Sequence, residues 1–476
     1  MPIRHIKVED EIPEQLLAGL EKLRDEAGVP DEFDRAVTDA ADQAAANPRL
    51  PENDLTDVEF VTIDPPGARD LDQAVHIARS GDGFLVRYAI ADVAAFVNAG
   101  DPIDQEAHRR GQTFYAPHRR TPLHPPRLSE DAASLLADQV RPALVWHLPV
   151  AADGSCTEPS VQRALVRSRA QLTYQQVQEQ LDGGTASESL QLLREVGQLR
   201  EKVEIERGGV SLNVPSQEVH NNDGEWSIAF EQPLPVEGWN AQISLLTGIA
   251  AAQLMIGAKV GLLRTLPPAS DESLAALRST AAGLGLDWPE QQPYAEFVRA
   301  LDITQPNQLA MMYACTSLFR GAGYAAFDGE VPEQPLHAAL ATEYSHTTAP
   351  LRRLVDRYVG ELCLAISAGQ APPQWVLDAL PGLPDEMEAS DTRAARYERG
   401  IVDLTETLHL QNRVGQEFDG IIVRVDADKP DKGRVLIADP ATEANVTGAN
   451  LQLGSRVRGR LTEADLATGV ARFELV

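Results

Sequence analysis

Asp64, Asp70 and Asp72 stand within nine positions of one another in the stretch TIDPPGARDLDQAV, residues 62–75, beside a Pro-Pro-Gly turn and directly after the apolar run VEFV. Like charges at such spacing cost free energy unless a cation or a shared proton offsets them. Aspartates on a loop between strands are oxygen donors suited to Mg²⁺ or Mn²⁺, hard cations often bridged to substrate phosphate. Such ions activate a water and steady the leaving oxygen when a phosphodiester is displaced in line. By spacing alone, a turn with three solvated aspartates fits as well as a metal site does. An EF-hand does not fit: a loop begun at Asp64 needs Gly at its sixth position and Glu at its twelfth, where the chain has Arg69 and Val75. No Walker lysine, GxSxG or HExxH pattern occurs.

Phosphodiester chemistry also needs cations along the phosphates. The segment HRRGQTFYAPHRRTPLHPPR, residues 108–127, carries five arginines, three histidines and no acid, with Phe114 and Tyr115 between them. Arg352, Arg353 and Arg357 cluster in APLRRLVDRY, and Arg456, Arg458 and Arg460 in SRVRGR. Each segment alone reads as a solvated face. Together they are candidates for a basic groove, even at a formal net charge of −29, because net charge governs solubility and long-range steering rather than local phosphate binding.

The elements that must position these groups follow from periodicity and turn signals. Residues 1–55 read as a small acidic helical module, with helix-period apolar positions in IPEQLLAGLEKLRDEAG and PDEFDRAVTDAADQAAAN. From about Asp57 the pattern turns to strands: VEFVTI, then QAVHIA and FLVRYAIADV joined by RSGDG. A helix at PIDQEAHRRG, strands at ALVWHLPVA and SVQRALVRSRAQL, and helical sequence from LTYQQVQEQLDGG come next. A hairpin follows at GGVSLNVPSQEV…GEWSIAF, then three or four helices between Trp239 and Phe319. APLRRLVDRYVGELCLAI opens another helix, and a long helix runs over about Asp385–Arg413. Residues 414–476 read as five short strands, the rhythm of an OB barrel that binds single strands or of any small packing barrel.

Composition, 43% hydrophobic and 24% charged, is that of a globular protein. Three separated cysteines, Cys156, Cys315 and Cys363, argue against a disulfide framework or a zinc site and suit a reducing compartment. The N-terminal twenty residues hold no unbroken apolar core, so a signal peptide is not expected. The stretch ISLLTGIAAAQLMIGAKVGLL contains Ser244, Thr247, Gln253 and Lys259 and reads as a buried core helix rather than a membrane span. The expectation is a cytoplasmic protein with no membrane partner.

The ordered motifs resemble the ribonuclease II family. Its pattern of I-D, five residues, D-x-D-D-A and an IADV strand matches VTIDPPGARDLDQAV and YAIADV. The segments T-x-Y-x-P and P-x-x-L-S-x-x-x-x-S-L match the stretch from Thr113 to Leu135, and EYSHTTAPLRRLVDR is similar to Y-T-H-x-T-S-P-I-R-R-Y-x-D. The resemblance spans Asp57 to Asn412, with the terminal barrel where the family carries its RNA-binding OB domain. It implies an enzyme that processively hydrolyses single-stranded RNA from the 3′ end to nucleoside 5′-monophosphates, using Mg²⁺, with Mn²⁺ as a possible substitute. It further implies Asp64, Asp70 and Asp72 as metal ligands and Asp70, Asp72 and Arg352 as catalytic, Asp72 being the position whose loss disables the family's catalysis. Tyr115, Arg353 and Gln242 are implied on the substrate, Tyr115 against the 3′-terminal nucleotide. Arg352 is implied on the scissile or adjacent phosphate, where its planar fork holds two oxygens.

Two positions depart from the family. Gln73 stands where a fourth aspartate is usual, and Gln242 at an expected acidic position, so metal affinity or number should fall. The expected architecture is α+β: a helical module over 1–55 in place of the usual cold-shock domains, an RNB-type catalytic domain over 56–413 with a mixed sheet and surrounding helices, and an OB barrel over 414–476. The expected partner is the 3′ end of single-stranded RNA, bound by a monomer. The rival is an RNA-binding relative that has lost catalysis, and a weaker one is a deoxyribonuclease. Structural readings stand beside these: Tyr115 as a packing residue, Arg352 paired with Asp356, Asp92 as a structural hydrogen-bonder, His346 packed, and Gln242 as a buried hydrogen-bonder.

Overall fold

The computed structural model describes residues 6–8, 14–210, 216–222, 225–319, 321–426, 428–438 and 441–476. Strands Phe60–Asp64, Gln73–Ser80, Gly83–Ala91, Val140–Val150 and Ser160–Thr173 close into a five-stranded barrel in that order. Neighbours are antiparallel except the closing pair, where Phe60–Asp64 runs parallel to Ser160–Thr173. The sheet is therefore mixed, as the sequence predicts, and also closed. Alternation along the strands separates two cores. Val75, Ile77, Val86, Tyr88, Trp146 and Leu148 pack on helices Glu188–Glu206, Pro235–Ala258 and Leu354–Ser367. Ala74, Ala89, Val145 and Ala164 face a second core with Phe60 and Leu71.

Helix Pro235–Ala258 is apolar on all sides, as a helix enclosed by others must be. It is long and apolar enough to cross a membrane, yet Leu246, Ala250, Ala251 and Met255 sit in the main core. Lys259 ends it in a left-handed conformation, and the chain turns straight into strand Val260–Thr265, paired antiparallel with Gly323–Asp328. The sequence predicts helices throughout that region. Short apolar runs such as VGLLRT carry no period that separates strand from helix. Between the two strands lie helices Asp271–Gly283, Tyr294–Arg299 and Pro306–Cys315. The predicted hairpin appears as Ser216–Asn222 against Glu225–Glu231, with Ile6–Val8 parallel beside the first; its residues 211–215, 223 and 224 lie outside the described residues.

Among the described residues the N-terminal helices share no core of their own. In helix Glu14–Ala27, Leu16 and Leu20 pack on Tyr397, Ile401 and Leu404 of the long helix Leu383–Leu410. In helix Arg35–Ala46, Val37 and Ala41 join the core of the barrel's other face. The C-terminal strands Glu417–Val425, Lys432–Ala438, Ala441–Thr447, Arg456–Asp465 and Val470–Leu475 close a second barrel, the fifth strand lying between the third and fourth. That is the OB arrangement. Leu410, the last residue of the long helix, enters its core beside Ile422, Leu461 and Phe473. A Cβ at Gly283 would lie 2.2 Å from the Gly454 carbonyl oxygen, so only glycine permits this close docking of helix Asp271–Gly283 on the barrel.

Candidate active site

The aspartate loop leaves strand Phe60–Asp64 through Pro65, Pro66 and Gly67, the glycine at a φ of 76°. Ser134 pins the loop: its Oγ donates to the Arg69 carbonyl (2.6 Å) and accepts from the Leu71 amide (3.0 Å), and the Leu135 amide donates to the Leu71 carbonyl (3.0 Å). This is the physical work of the LSEDAASL segment. Asp72 is thereby carried into the protein, 2% exposed. Its Oδ1 accepts from the Leu351 amide (2.8 Å) and its Oδ2 from Arg352 Nε (2.6 Å).

The Leu351–Arg352 segment is itself fixed from two sides. Asp356, in the first turn of helix Leu354–Ser367, accepts from the Ala349 amide at 2.6 Å. On the other side the Thr113 amide donates to the Arg352 carbonyl (2.9 Å) and the Leu354 amide to that of Gly111 (3.0 Å). Those bonds tie Arg352 to the hairpin Phe114–Ala116 and Arg119–Thr121, which carries Tyr115 and, directly opposite it in register, Arg120. Upstream, Tyr344 and Ser345 press on Gly248 of the central helix, where a Cβ would lie 2.2 Å from the Tyr344 ring. Gly248 therefore sets how closely the strap leading to Thr348 can lie, and Thr348 Oγ1 meets Ser244 Oγ at 2.7 Å.

Burial dominates the electrostatics of the carboxylates. It pushes Asp72 up to about 7 and Asp64 up to about 6, opposed in each case by the Arg352 guanidinium and reinforced by the charge of Asp70. Among the described residues Asp64 Oδ2 is buried with no hydrogen-bond partner. Asp70 pairs with Arg120, which also donates to Glu130 at 2.5 Å. Oxygen donors, mutual repulsion and an orphaned oxygen fit a hard divalent cation. Among the described residues no three His, Cys, Asp or Glu side chains converge as a ready cage; Arg352 and Arg120 hold oxygens of Asp72 and Asp70.

The predicted site residues divide. Tyr115 is 37% exposed and lies in the field of Arg352, Asp70, Asp72 and Arg120. Arg352, its side chain 41% exposed, pairs with Asp72 and not with Asp356. Arg353, predicted on the substrate, takes Asp356 instead, through Nε (2.5 Å) and Nη2 (2.9 Å). Gln242, predicted on the substrate, is 4% exposed and donates to Glu204. Two residues along a helix are about 200° apart, and it is Asn240, beside Tyr174 and so near Asp64, and Ser244 that face the site. The Gln73 amide donates to the Thr348 carbonyl and its oxygen accepts from the Tyr88 hydroxyl (3.3 Å), so both ends of that side chain are engaged by protein. Asp92 accepts from Arg163 Nε (2.6 Å), and buried His346 meets the Tyr324 hydroxyl through Nδ1 (2.8 Å). Sequence reasoning missed Arg120, Glu130 and Ser134 as neighbours of the aspartate loop, and Ser244 and Thr348 as a bonded pair beside Gln73.

The three basic segments are all engaged internally. Arg109 and Arg110 pair with Glu106, Arg119 with Glu32, Arg120 with Asp70 and Glu130, and Arg127 with Asp131. Arg357 pairs with Asp104, and Arg458 and Arg460 with Glu417. Arg456 donates to the Gly283 carbonyl at 2.7 Å.

The RNB domain matches residues 52–367, and the RNase II-type exonuclease C-terminal S1 domain matches residues 416–476. Ribonuclease R of Escherichia coli strain K12 is 28% identical over 400 residues, covering 78% of this chain and 48% of the relative. The chain thus spans about half the length of that protein. Among solved structures, Mycoplasma genitalium RNase R in complex with ribose methylated single-stranded RNA superposes with a TM-score of 0.83 at 20% identity, over 97% of this chain and 78% of the other. Yeast Ssd1, a pseudonuclease, superposes with a TM-score of 0.70 at 16% identity, over 94% of this chain and 58% of the other.

Proposed function

The chain belongs to the RNB family, and from that membership we propose that it is a divalent-metal-dependent exoribonuclease that hydrolyses single-stranded RNA from the 3′ end and releases nucleoside 5′-monophosphates. The observation that carries the reading is the Asp72–Arg352 pair (2.6 Å) beside a half-exposed Tyr115 and the orphaned, buried Asp64 oxygen. Mg²⁺ or Mn²⁺ at Asp64, Asp70 and Asp72 supplies charge neutralisation and an activated water when bound. Arg352 meets Asp72 through Nε, and among the described residues its two terminal amino groups make no hydrogen bond, so they are left to grip phosphate oxygens as a fork. Asp72 in turn fixes the direction of that fork. Tyr115 offers a ring face for the terminal base, a contact indifferent to sequence. The OB barrel gives the strand a second platform.

A second reading is an RNA-binding relative without catalysis. It draws on the arginines that already occupy Asp70 and Asp72 and on the likeness of fold to a pseudonuclease. One experiment separates the two: end-labelled single-stranded RNA and the matching DNA are incubated with the protein in Mg²⁺ or Mn²⁺ and the products resolved. Mononucleotides accumulating from the 3′ end of RNA establish the nuclease. Binding without product, in either metal, establishes the second reading.

A further inference from the structure

We propose that Arg120 is a built-in competitor for the divalent cation at Asp70 and sets how tightly the site takes its metal. The proposal rests on the reading above that the aspartates hold such a cation. Arg120 reaches Asp70 through Nη1 and Glu130 through Nη2 (2.5 Å), so one guanidinium bridges a site carboxylate and a carboxylate outside the site. Its hairpin is anchored, since the flanking Phe114 and Thr121 are buried and Thr121 pairs with Phe114 in register. Glu130 sits in the Leu128–Ala132 turn, next to the Ser134 contacts that hold the aspartate loop. Both partners of Arg120 are therefore fixed, while the arginine is 26% exposed along its side chain and has a flexible stem.

This arrangement gives the guanidinium two places to stand. Without a cation it neutralises Asp70, whose charge otherwise bears on Asp64 and Asp72. When a cation takes Asp70, the arginine keeps Glu130 and is not left buried and unpaired, which would be costly. Metal binding must displace one charge-assisted bond and accept a nearby positive charge, and both effects weaken it. Glu130 acts in the opposite sense, by drawing Arg120 away from Asp70. A purely structural tie would not produce effects of opposite sign at the two positions.

The test is Mn²⁺ binding to the full chain, read by calorimetry and by the electron-spin signal of free Mn²⁺, with no RNA present. Arg120→Gln should tighten the Mn²⁺ dissociation constant by about tenfold, as removal of a unit charge from beside a divalent site implies. Glu130→Gln should weaken it by about threefold or more, because Arg120 then belongs wholly to Asp70. Unchanged or weaker binding in Arg120→Gln overturns the proposal. Should that variant fail to fold, Glu130→Gln decides alone, with unchanged affinity as the overturning result. Asp64→Asn tells the two failures apart. A wild type that takes Mn²⁺ and loses it in Asp64→Asn, with Arg120→Gln unaltered, defeats only the role of Arg120. A wild type that takes none defeats the metal reading and this proposal with it.

Discussion

Asp72 presents one oxygen to a backbone amide and the other to Arg352, so an amide in its place keeps the shape and loses the charge. Asp72→Asn can still accept from the Leu351 amide, which holds the loop, but its NH2 cannot accept from Arg352 Nε, so that bond is lost with the charge. RNA cleavage should fall by at least about a hundredfold, the scale of losing one preorganised charged contact at a reacting centre. Single-strand affinity should stay within about threefold, because phosphate contacts carry most of it. Single-turnover cleavage beside filter binding checks both; a variant that cleaves at the wild-type rate removes Asp72 from the chemistry. Gln73 calls for a different experiment. Its amide donates to the Thr348 carbonyl, and Gln73→Glu would set a carboxylate against that oxygen. Denaturant unfolding should show a loss of about 1–3 kcal/mol, the usual cost of an orphaned buried partner. Unaltered stability would mean that position 73 is not held as a hydrogen-bonding strut.

At the scale of elements, His108 joins three helices. Its Nδ1 meets Glu386 (2.5 Å) of the long helix and its Nε2 meets the Tyr358 hydroxyl (2.6 Å) of helix Leu354–Ser367, while His108 itself belongs to helix Pro102–Arg110. The Glu386 hydrogen bond raises the imidazole above its ordinary 6.5, with Asp104 helping and burial and Arg357 opposing. A folded value above the unfolded one gives stability that is full below 6.5 and fades as pH rises through the raised folded value. His108→Gln should therefore destabilise the protein at pH 6 and change it much less at pH 9, as urea unfolding at the two pH values will show; an equal loss at both would assign the contact to packing alone. Elements with a clear period were legible in the sequence: the five strands of the first barrel, the long terminal helix and the OB rhythm. Strand Val260–Thr265 was not, since its apolar run has no period to read. Nor was the face of Gln242, because a helix apolar all round does not announce which side meets the site. The Arg120–Asp70 pair spans 50 positions and exists only once a hairpin has docked, so spacing along the chain carries no trace of it. The N-terminal helices looked like a module because their own periods are sound, yet each lends its apolar face to a different core.

For the whole molecule, the proposed function raises the question of how a chain with a net charge of −29 would hold a polyanion. Arginines in all three basic segments already face carboxylates, from Arg119 with Glu32 to Arg458 and Arg460 with Glu417. When a phosphate takes such an arginine, the carboxylate it leaves must gather a small cation from solution. The counterions released from RNA are then largely recaptured by the protein, and the usual salt penalty shrinks. Added salt also screens the repulsion between the strand and the acidic surface beyond about 10 Å, which flattens the dependence further. The logarithm of RNA affinity should fall against the logarithm of salt with a slope no steeper than about −2, equivalent to about three phosphates on a single strand. Glu417→Gln releases Arg460 on the C-terminal barrel and leaves Arg458 only its 3.7 Å contact with Asp419, without touching the aspartate site. That variant should bind RNA more tightly at low salt and steepen the slope by about 0.7 for each arginine that then meets a phosphate. Fluorescence anisotropy with a labelled single strand, in EDTA so that cleavage does not intrude, measures both slopes. A wild-type slope steeper than about −4 would mean that free cations line the RNA path after all, and parallel lines for the two proteins would place the strand away from this face of the barrel.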